Sequence, residues 1–221
     1  MNTGENKTHT HEPAPQTTGT TIRQANFYDA AVRLIALGQD KAFRRMTAEM
    51  AQIKSGDSVL EVGCGTGELT IAAKARAGSS GSVYGIDASP EMIEVARSKV
   101  AKAAINIEFR VDLIESLSFV DDSFDVVLSS LMMHHLPDDV KRKGLAEVYR
   151  VLKPGGHLFI VDIKRPTTLL SWALMALLRH GNVYTGVQGL PTMMTEAGFT
   201  DIQAGDARFI LIGYVRGEAS K

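Results

Sequence analysis

Three glycines at alternate positions are the strongest chemical signal in this chain. Gly63, Gly65 and Gly67 follow a short apolar run, 58–62, and precede a segment of helical composition. Glycines between a strand and a helix let the chain turn tightly and let a ligand approach the backbone. The dinucleotide fingerprint needs its third glycine one place later, where this chain has Glu68, and a Gly-Lys-Ser/Thr phosphate loop is absent from the sequence. The loop therefore favours a ligand without a pyrophosphate.

Two acidic residues lie where later apolar runs end. Asp87 ends the run 83–87, 20 residues after Gly67, and Asp112 follows the alternating run 105–111. Carboxylate oxygens accept hydrogen bonds, so the first can hold both hydroxyls of a ribose and the second can hold an adenine amino group. Asp112 could equally do no more than end its strand. With the glycine loop, these acids favour an adenosine-bearing ligand.

The positions of these residues depend on an alternation of strands and helices. Strands are expected at 58–62, 83–87, 105–111, 124–130 and 158–162, with helices over 26–53, 68–77, 90–102 and 138–152. Lys-Pro-Gly-Gly at 153–156 is expected to stop the 138–152 helix and turn the chain. A short helix to Ala197 and two closing strands, 201–204 and 207–215, follow. The predicted fold is α/β: a Rossmann-like, seven-stranded, mostly parallel sheet with helices on both faces and a C-terminal antiparallel hairpin.

The composition is that of an ordinary globular protein, and the net charge disfavours some classes of binding partner. The 221 residues are 44% hydrophobic and 22% charged, and 24 basic against 25 acidic residues give a net charge of −1. Without a basic surplus we expect no nucleic-acid partner. The single cysteine, Cys64, rules out an internal disulfide or a cysteine metal cluster, and it favours a reducing, cytoplasmic setting. We also expect no metal site, because no set of acidic ligands can be assembled from the sequence.

Five segments of the chain resemble, in the same order, those of the class I S-adenosylmethionine-dependent methyltransferases. They are Leu-Glu-Val-Gly-Cys-Gly-Thr-Gly (60–67), Gly-Ile-Asp-Ala-Ser (85–89), Val-Asp-Leu (111–113), Phe-Asp-Val-Val-Leu-Ser-Ser (124–130) and Leu-Lys-Pro-Gly-Gly (152–156). Asn-Phe-Tyr-Asp (26–29) and His-His-Leu (134–136) are similar to the branch that acts on small molecules, including quinone-biosynthetic C-methyltransferases. The resemblance implies S-adenosyl-L-methionine as cofactor and a small-molecule methyl acceptor.

The resemblance also implies a role for each matching position. The methionine end of the cofactor would be lined by Glu61, Gly63, Cys64, Gly65 and Gly67, with Ser129 near the sulfonium. The adenosine end would be held by Asp87, Ala88, Met92, Asp112 and Leu113. Met92 could instead belong to the core of its helix, and Cys64 could be only a small loop residue.

Three residues are candidates for work on the acceptor. His134 and His135 follow the exit of the fourth expected strand, where a general base could take a proton from an acceptor that must lose one. Either could equally be a structural or solvent-facing histidine. Tyr28 could cover the cofactor or hydrogen-bond the acceptor, or be a buried aromatic residue of the first helix.

Composition and the resemblance together divide the chain into regions. A polar, disordered tail is expected at 1–24, a helical cap at 25–54, a cofactor-binding core at 55–165, acceptor-lid helices at 166–198 and closing strands at 199–221. Within the lid, segment 167–190 carries Arg179 as its only formal charge, and such an apolar helix must be covered. Its cover could be the core, a hydrophobic acceptor, a peripheral membrane contact or a homodimer partner.

Several acceptor classes fit the sequence poorly. The segment after the fourth strand lacks the Asn/Asp-Pro-Pro-aromatic motif of DNA amino-methyltransferases and the paired glutamates of protein-arginine enzymes. We expect a methyltransferase acting on a small, hydrophobic acceptor. The alternatives are a quinone-type ring C-methyltransferase, transfer to O, N or S, and a non-catalytic cofactor-binding protein. A nicotinamide oxidoreductase would share the sheet but fails at Glu68.

Overall fold

The computed structural model describes residues 40–165, 186–207, 209 and 211–221. The strands are β1 (Ser58–Val62), β2 (Ser82–Asp87), β3 (Glu108–Val111), β4 (Phe124–Ser130), β5 (Leu152–Ile163), β6 (Thr200–Asp206) and β7 (Ile212–Glu218). The α-helices are α1 (Asp40–Met50), α2 (Glu68–Ala77), α3 (Pro90–Ala103), α4 (Asp138–Val151) and α5 (Leu190–Glu196). Short 3₁₀ turns cover Met133–His135 and Val187–Gly189.

All seven strands form one sheet in the order β3-β2-β1-β4-β5-β7-β6. The pairs among β1 to β5 are parallel, whereas β7 pairs antiparallel with both β5 and β6. This arrangement confirms the predicted fold class. Strand order reverses between β1 and β4, and open α/β sheets bind ligands outside the carboxyl ends of their strands at such a point.

Successive strand residues pack alternately in two apolar layers, one on each face of the sheet. Leu60 and Val127 belong to a layer that includes Leu145 of α4. Their neighbours Val59 and Val126 belong to the opposite layer, which receives side chains from α1, α2 and α3. Because side chains alternate along a strand, near-continuous apolar runs are what a sheet covered on both faces requires.

Local signals set several boundaries as predicted. Strands Ser58–Val62 and Phe124–Ser130 and helix Glu68–Ala77 have the predicted limits. At the start of α3, the Ser89 hydroxyl accepts a hydrogen bond from the Met92 backbone N–H at 3.3 Å. A serine N-cap followed by proline is therefore a reliable start signal here.

Other boundaries differ from prediction because particular backbone hydrogen bonds, which the apolar pattern does not report, decide them. The 153–156 stretch does end α4, but it lies inside β5 rather than in a turn: Gly155 N donates to Ala219 O, and Ala219 N donates to Gly156 O, both at 2.8 Å. The last strand begins at Ile212 rather than at 207, because Ile212 N donates to Phe209 O in a turn. The third strand begins at Glu108 rather than at 105, since Ile105 N donates to Val100 O and closes α3.

Several predictions fall outside the described residues. These are the tail at 1–24, the start of the first helix at 26–39 with Tyr28, and residues 167–185 of the apolar segment. Within the part of the chain that the structure describes, no helix is long and apolar enough to cross a membrane.

Candidate functional site

The glycine loop joins β1 to α2 at the carboxyl edge of the sheet. Gly63, Gly65 and Gly67 have φ angles of 71°, 53° and 82°, in the left-handed region that favours glycine. Cys64 N donates to Ile86 O at 2.9 Å, and Gly65 N donates to Asp87 Oδ2 at 2.9 Å. The loop is therefore fixed to the end of β2 by two hydrogen bonds.

Packing within the protein also requires two of these glycines. A Cβ at Gly63 would overlap the side chain of Met132, and a Cβ at Gly67 would lie 2.7 Å from Cζ of Phe109. The glycine pattern that predicted a ligand-binding loop therefore also reflects close packing against neighbouring side chains. The contact between Gly63 and Met132 also brings the loop against the chain that leads into the Met133–His135 turn.

Asp87 lies at the centre of the loop's hydrogen bonds. Its Oδ2 accepts from Gly65 N, and its Oδ1 accepts from Ser89 N at 2.9 Å. Burial raises the pKa of Asp87 above its usual range, while these two backbone donors lower it. Each carboxylate oxygen has two lone pairs, so both oxygens can accept a further hydrogen bond from a ligand.

Asp112 organises the loop after β3. Its Oδ1 accepts from Leu113 N at 2.9 Å, and its Oδ2 accepts from the N–H and hydroxyl of Ser118 at 3.0 and 2.7 Å. The carboxylate therefore holds its own loop, which sequence reasoning did not foresee. A contact with an adenine amino group would be an additional bond.

Two of the predicted cofactor contacts, Cys64 of the glycine loop and Met92 of α3, have buried side chains. The Cys64 side chain packs in the apolar layer of α1 to α3, and burial raises the pKa of its thiol, with the charges of Glu61 and Asp87 adding to the effect. A cofactor contact by Cys64 would therefore be made by its backbone. Met92 is also buried, whereas Ala88 and Leu113 are half-buried at the same edge.

Glu61 is a buried acid on β1, 1% exposed. Burial raises its pKa from 4.5 to about 7, although the Thr70 hydroxyl, which donates to Oε2 at 2.5 Å, and the charge of Arg44 both lower it. Burial therefore keeps the carboxyl group protonated to a higher pH than that of an exposed glutamate. A cationic ligand group beside it would favour the ionised form.

This shift predicts a pH-dependent stability. The folded chain binds more protons than the unfolded chain between pH 4.5 and about 7, so the contribution of Glu61 is present at low pH and is lost as pH rises through about 7. A shift of this size corresponds to roughly 3 kcal/mol. Glu61→Gln should therefore raise the melting temperature relative to wild type by several degrees more at pH 8 than at pH 5, measured by calorimetry.

The exposed Glu68, which pairs with Lys99, provides the matched control. Glu68→Gln should change the melting temperature by a similar small amount at both pH values, because exposed pairs contribute roughly 0–1 kcal/mol. Parallel pH profiles of wild type and Glu61→Gln would refute a raised pKa at Glu61.

Near the end of β4, the side chain of Ser129 is a buried polar group. The hydroxyl of Ser129 is buried and has no hydrogen-bond partner among the residues that the structure describes. Since buried hydroxyls normally find partners, this one fits a role in holding a bound group. The residues present are thus compatible with S-adenosylmethionine at this edge.

His134 is joined to an acid that sequence reasoning missed. Its Nδ1 lies 2.6 Å from Oδ1 of Asp162, and its backbone N–H donates to Oδ2 of the same residue at 3.1 Å. The ring of His135 lies 3.8 Å from that of His134, centroid to centroid. Asp162 occurs near the end of an apolar strand, as Asp87 does, and that signal could have pointed to it.

Comparisons with known proteins identify the family. A family model described as a methyltransferase domain matches residues 59–156. The ubiquinone/menaquinone biosynthesis C-methyltransferase of Geobacter sp. (strain M21) is 32% identical over 200 residues, covering 80% of this chain and 84% of that protein. The enzyme of the same description from Geotalea daltonii is 35% identical over 145 residues, covering 65% of this chain and 61% of that protein.

A solved structure agrees in fold. The S-adenosylmethionine-dependent methyltransferase from Aquifex aeolicus superposes with a TM-score of 0.66 at 24% identity, covering 89% of this chain and 97% of that one. The chain spans about three fifths of the length of the first curated relatives, 61% and 59% for two of them. The sheet order and the glycine loop define a Rossmann-like methyltransferase domain.

The chain belongs to the class I S-adenosylmethionine-dependent methyltransferase family. The predicted family, fold class and cofactor are confirmed at this level. The roles of individual site residues stay predictions.

Proposed function

We propose that this chain transfers a methyl group from S-adenosylmethionine to a small, hydrophobic acceptor of the quinone type. The observation that carries the proposal is that the predicted site residues lie at the carboxyl ends of β1, β2 and β4, beside the point where strand order reverses. They are the glycine loop, Asp87, Ser129 and the Met133–His135 turn. Relatives named as quinone-biosynthesis C-methyltransferases support a ring carbon as the acceptor atom.

Asp87 and the glycine loop would hold the cofactor. Asp87 would accept hydrogen bonds from two ribose hydroxyls, and Asp112 with Leu113 would contact the adenine edge. At the other end, Glu61 would face the methionine ammonium, and the Ser129 hydroxyl would bond to the same part. When bound, the cofactor supplies an electrophilic methyl on a sulfonium, and its transfer to a C–H or O–H acceptor yields S-adenosylhomocysteine, methylated acceptor and one proton.

His134 would take that proton. Its ring is buried on the turn beside Met132, which packs against Gly63, while the ring of His135 is half-buried. A base at this position contributes to the reaction only if it can take a proton from the acceptor as the methyl group arrives. We assign the base to His134 rather than to His135, because Nδ1 of His134 lies 2.6 Å from the Asp162 carboxylate, which can orient the ring.

The acceptor would enter from the side of segment 167–190, whose apolar composition suits a greasy ring system. The lid assignment of 166–198, a peripheral membrane contact or homodimer through 167–190, and the cytoplasmic setting all stay predictions. Tyr28 stays a candidate for covering the cofactor.

A transfer assay tests the proposed function. Purified chain is incubated with methyl-labelled S-adenosylmethionine and matched sets of hydroquinones, phenols, amines and thiols. We expect labelled hydroquinone and an equal amount of S-adenosylhomocysteine. Cofactor binding without S-adenosylhomocysteine from any acceptor would contradict the methyltransferase proposal and leave a non-catalytic binding protein. Transfer only to thiols or amines would contradict the acceptor class.

A further inference from the structure

We propose that Asp162 is the positioning residue of His134, fixing the imidazole so that Nε2 is the atom that accepts the acceptor's proton. This inference rests on the proposed function for its catalytic consequence. The geometry that carries it belongs to the protein alone and is measurable without cofactor or acceptor.

Asp162 and His134 form a buried pair, and the Asp162 carboxylate makes three polar contacts. Asp162 is 1% exposed and His134 is 3% exposed. Besides the ring contact at 2.6 Å, Oδ1 accepts from the Ile163 backbone N–H at 2.6 Å, and Oδ2 accepts from His134 N. The carboxylate therefore contacts both the ring and the backbone of the same histidine, which fixes the ring's position and its rotation.

These contacts also determine where the ring hydrogen lies. An ionised carboxylate only accepts hydrogen bonds, so the Nδ1 atom facing it must carry the hydrogen in the neutral ring. The other nitrogen, Nε2, then has the lone pair that a general base needs. An acid behind a histidine acts this way in catalytic triads, where it sets the tautomer and orients the ring.

The location links the pair to the glycine loop. His134 lies on the 3₁₀ turn that follows β4, and Asp162 lies near the end of the adjacent β5. Met132, at the start of the turn, fills the space over Gly63. Burying a carboxylate costs free energy unless hydrogen bonds satisfy it, and here its partners are the histidine and one neighbouring N–H.

Nuclear magnetic resonance tests the positioning role. Long-range proton–nitrogen spectra of the cofactor-free chain should show His134 as the Nδ1–H tautomer. In Asp162→Asn an amide replaces one acceptor oxygen, so the Nε2–H tautomer should become populated. A wild-type ring in the Nε2–H form would overturn the inference, and this readout decides the matter even if Asp162→Asn does not fold.

Kinetics tests the catalytic consequence. Asp162→Asn should lower turnover by about 10²–10⁴-fold, the range lost when a positioned base is disabled, with cofactor affinity and acceptor KM little changed. In a His134→Ala background the same substitution should have little further effect, because Asp162 acts through that ring. Equal losses in both backgrounds, or full turnover of Asp162→Asn, would overturn the inference.

Asp125 is the matched control. It is also a strand carboxylate that accepts a backbone hydrogen bond, from Ser58 N at 2.8 Å, but it lies at the start of β4. Asp125→Asn should leave the His134 tautomer and turnover unchanged. If the wild-type chain forms no S-adenosylhomocysteine with any acceptor, the proposed function fails, while the tautomer still reports on the pairing of Asp162 with His134.

Discussion

The His134→Ala variant is expected to transfer methyl groups about 10²–10⁴ times more slowly than wild type, the usual contribution of a general base. The reason is that, in the variant, no imidazole would take the proton from the acceptor C–H or O–H as the new bond forms. Cofactor affinity should barely change, because Asp87 and the glycine loop would hold the adenosyl end. Single-turnover kinetics with the best hydroquinone acceptor, together with calorimetric cofactor binding, measures both quantities.

His135→Ala is the matched control, since it removes the neighbouring ring at 3.8 Å but not the one bound to Asp162. It should lose far less turnover than His134→Ala. If the His135 variant alone loses turnover, the base is the other histidine. If both variants keep full turnover when chemistry limits the rate, catalysis depends on positioning without a base, which suits a thiolate or a neutral amine acceptor better.

Asp87→Ala is expected to weaken S-adenosylmethionine binding about ten- to hundredfold, because charge-assisted hydrogen bonds contribute roughly 1.5–3 kcal/mol. Two effects act together: the ribose loses its acceptors, and Gly65 N loses the bond that fixes the loop. Isothermal titration calorimetry on the folded variant measures the change.

A turn at the opposite edge of the sheet provides the control. Asp57 also accepts a backbone hydrogen bond, from Lys54 N at 2.7 Å, immediately before β1. Asp57→Ala should leave cofactor affinity unchanged. Equal affinity of wild type and Asp87→Ala would remove Asp87 from the cofactor site.

The sequence predicts those helix and strand boundaries that depend on residues close together in the chain. The limits of β1, β4 and α2 follow from short apolar runs and glycine punctuation, and the start of α3 follows from Ser89 and Pro90. The 153–156 stretch was predicted as a turn because proline and glycine usually mark one. Its pairing with Ala219 depends on a strand more than 60 residues away, which local patterns do not report.

The candidate site divides in the same way. Asp87 was found from its spacing after the glycine loop, and its bond to Gly65 agrees with that hypothesis. Asp162 was visible as an acid near the end of an apolar run, but its pairing with His134 could not be predicted, because the two residues are 28 positions apart in sequence and meet only when β4 and β5 pair. Gly67 was ascribed to a tight turn and to the ligand, whereas the ring of Phe109 also requires it.

Titration of the chain with S-adenosylmethionine, compared with a nicotinamide dinucleotide, tests most directly whether the carboxyl edge of the sheet is an S-adenosyl site. We expect saturable one-to-one binding of S-adenosylmethionine and no measurable binding of the dinucleotide. We also expect loss of cofactor binding in folded Gly65→Val, because a branched residue is strained at a φ of 53° and would intrude beside the ligand. Near-normal binding by Gly65→Val, or tighter binding of the dinucleotide, would show that this edge of the sheet is not an S-adenosyl site.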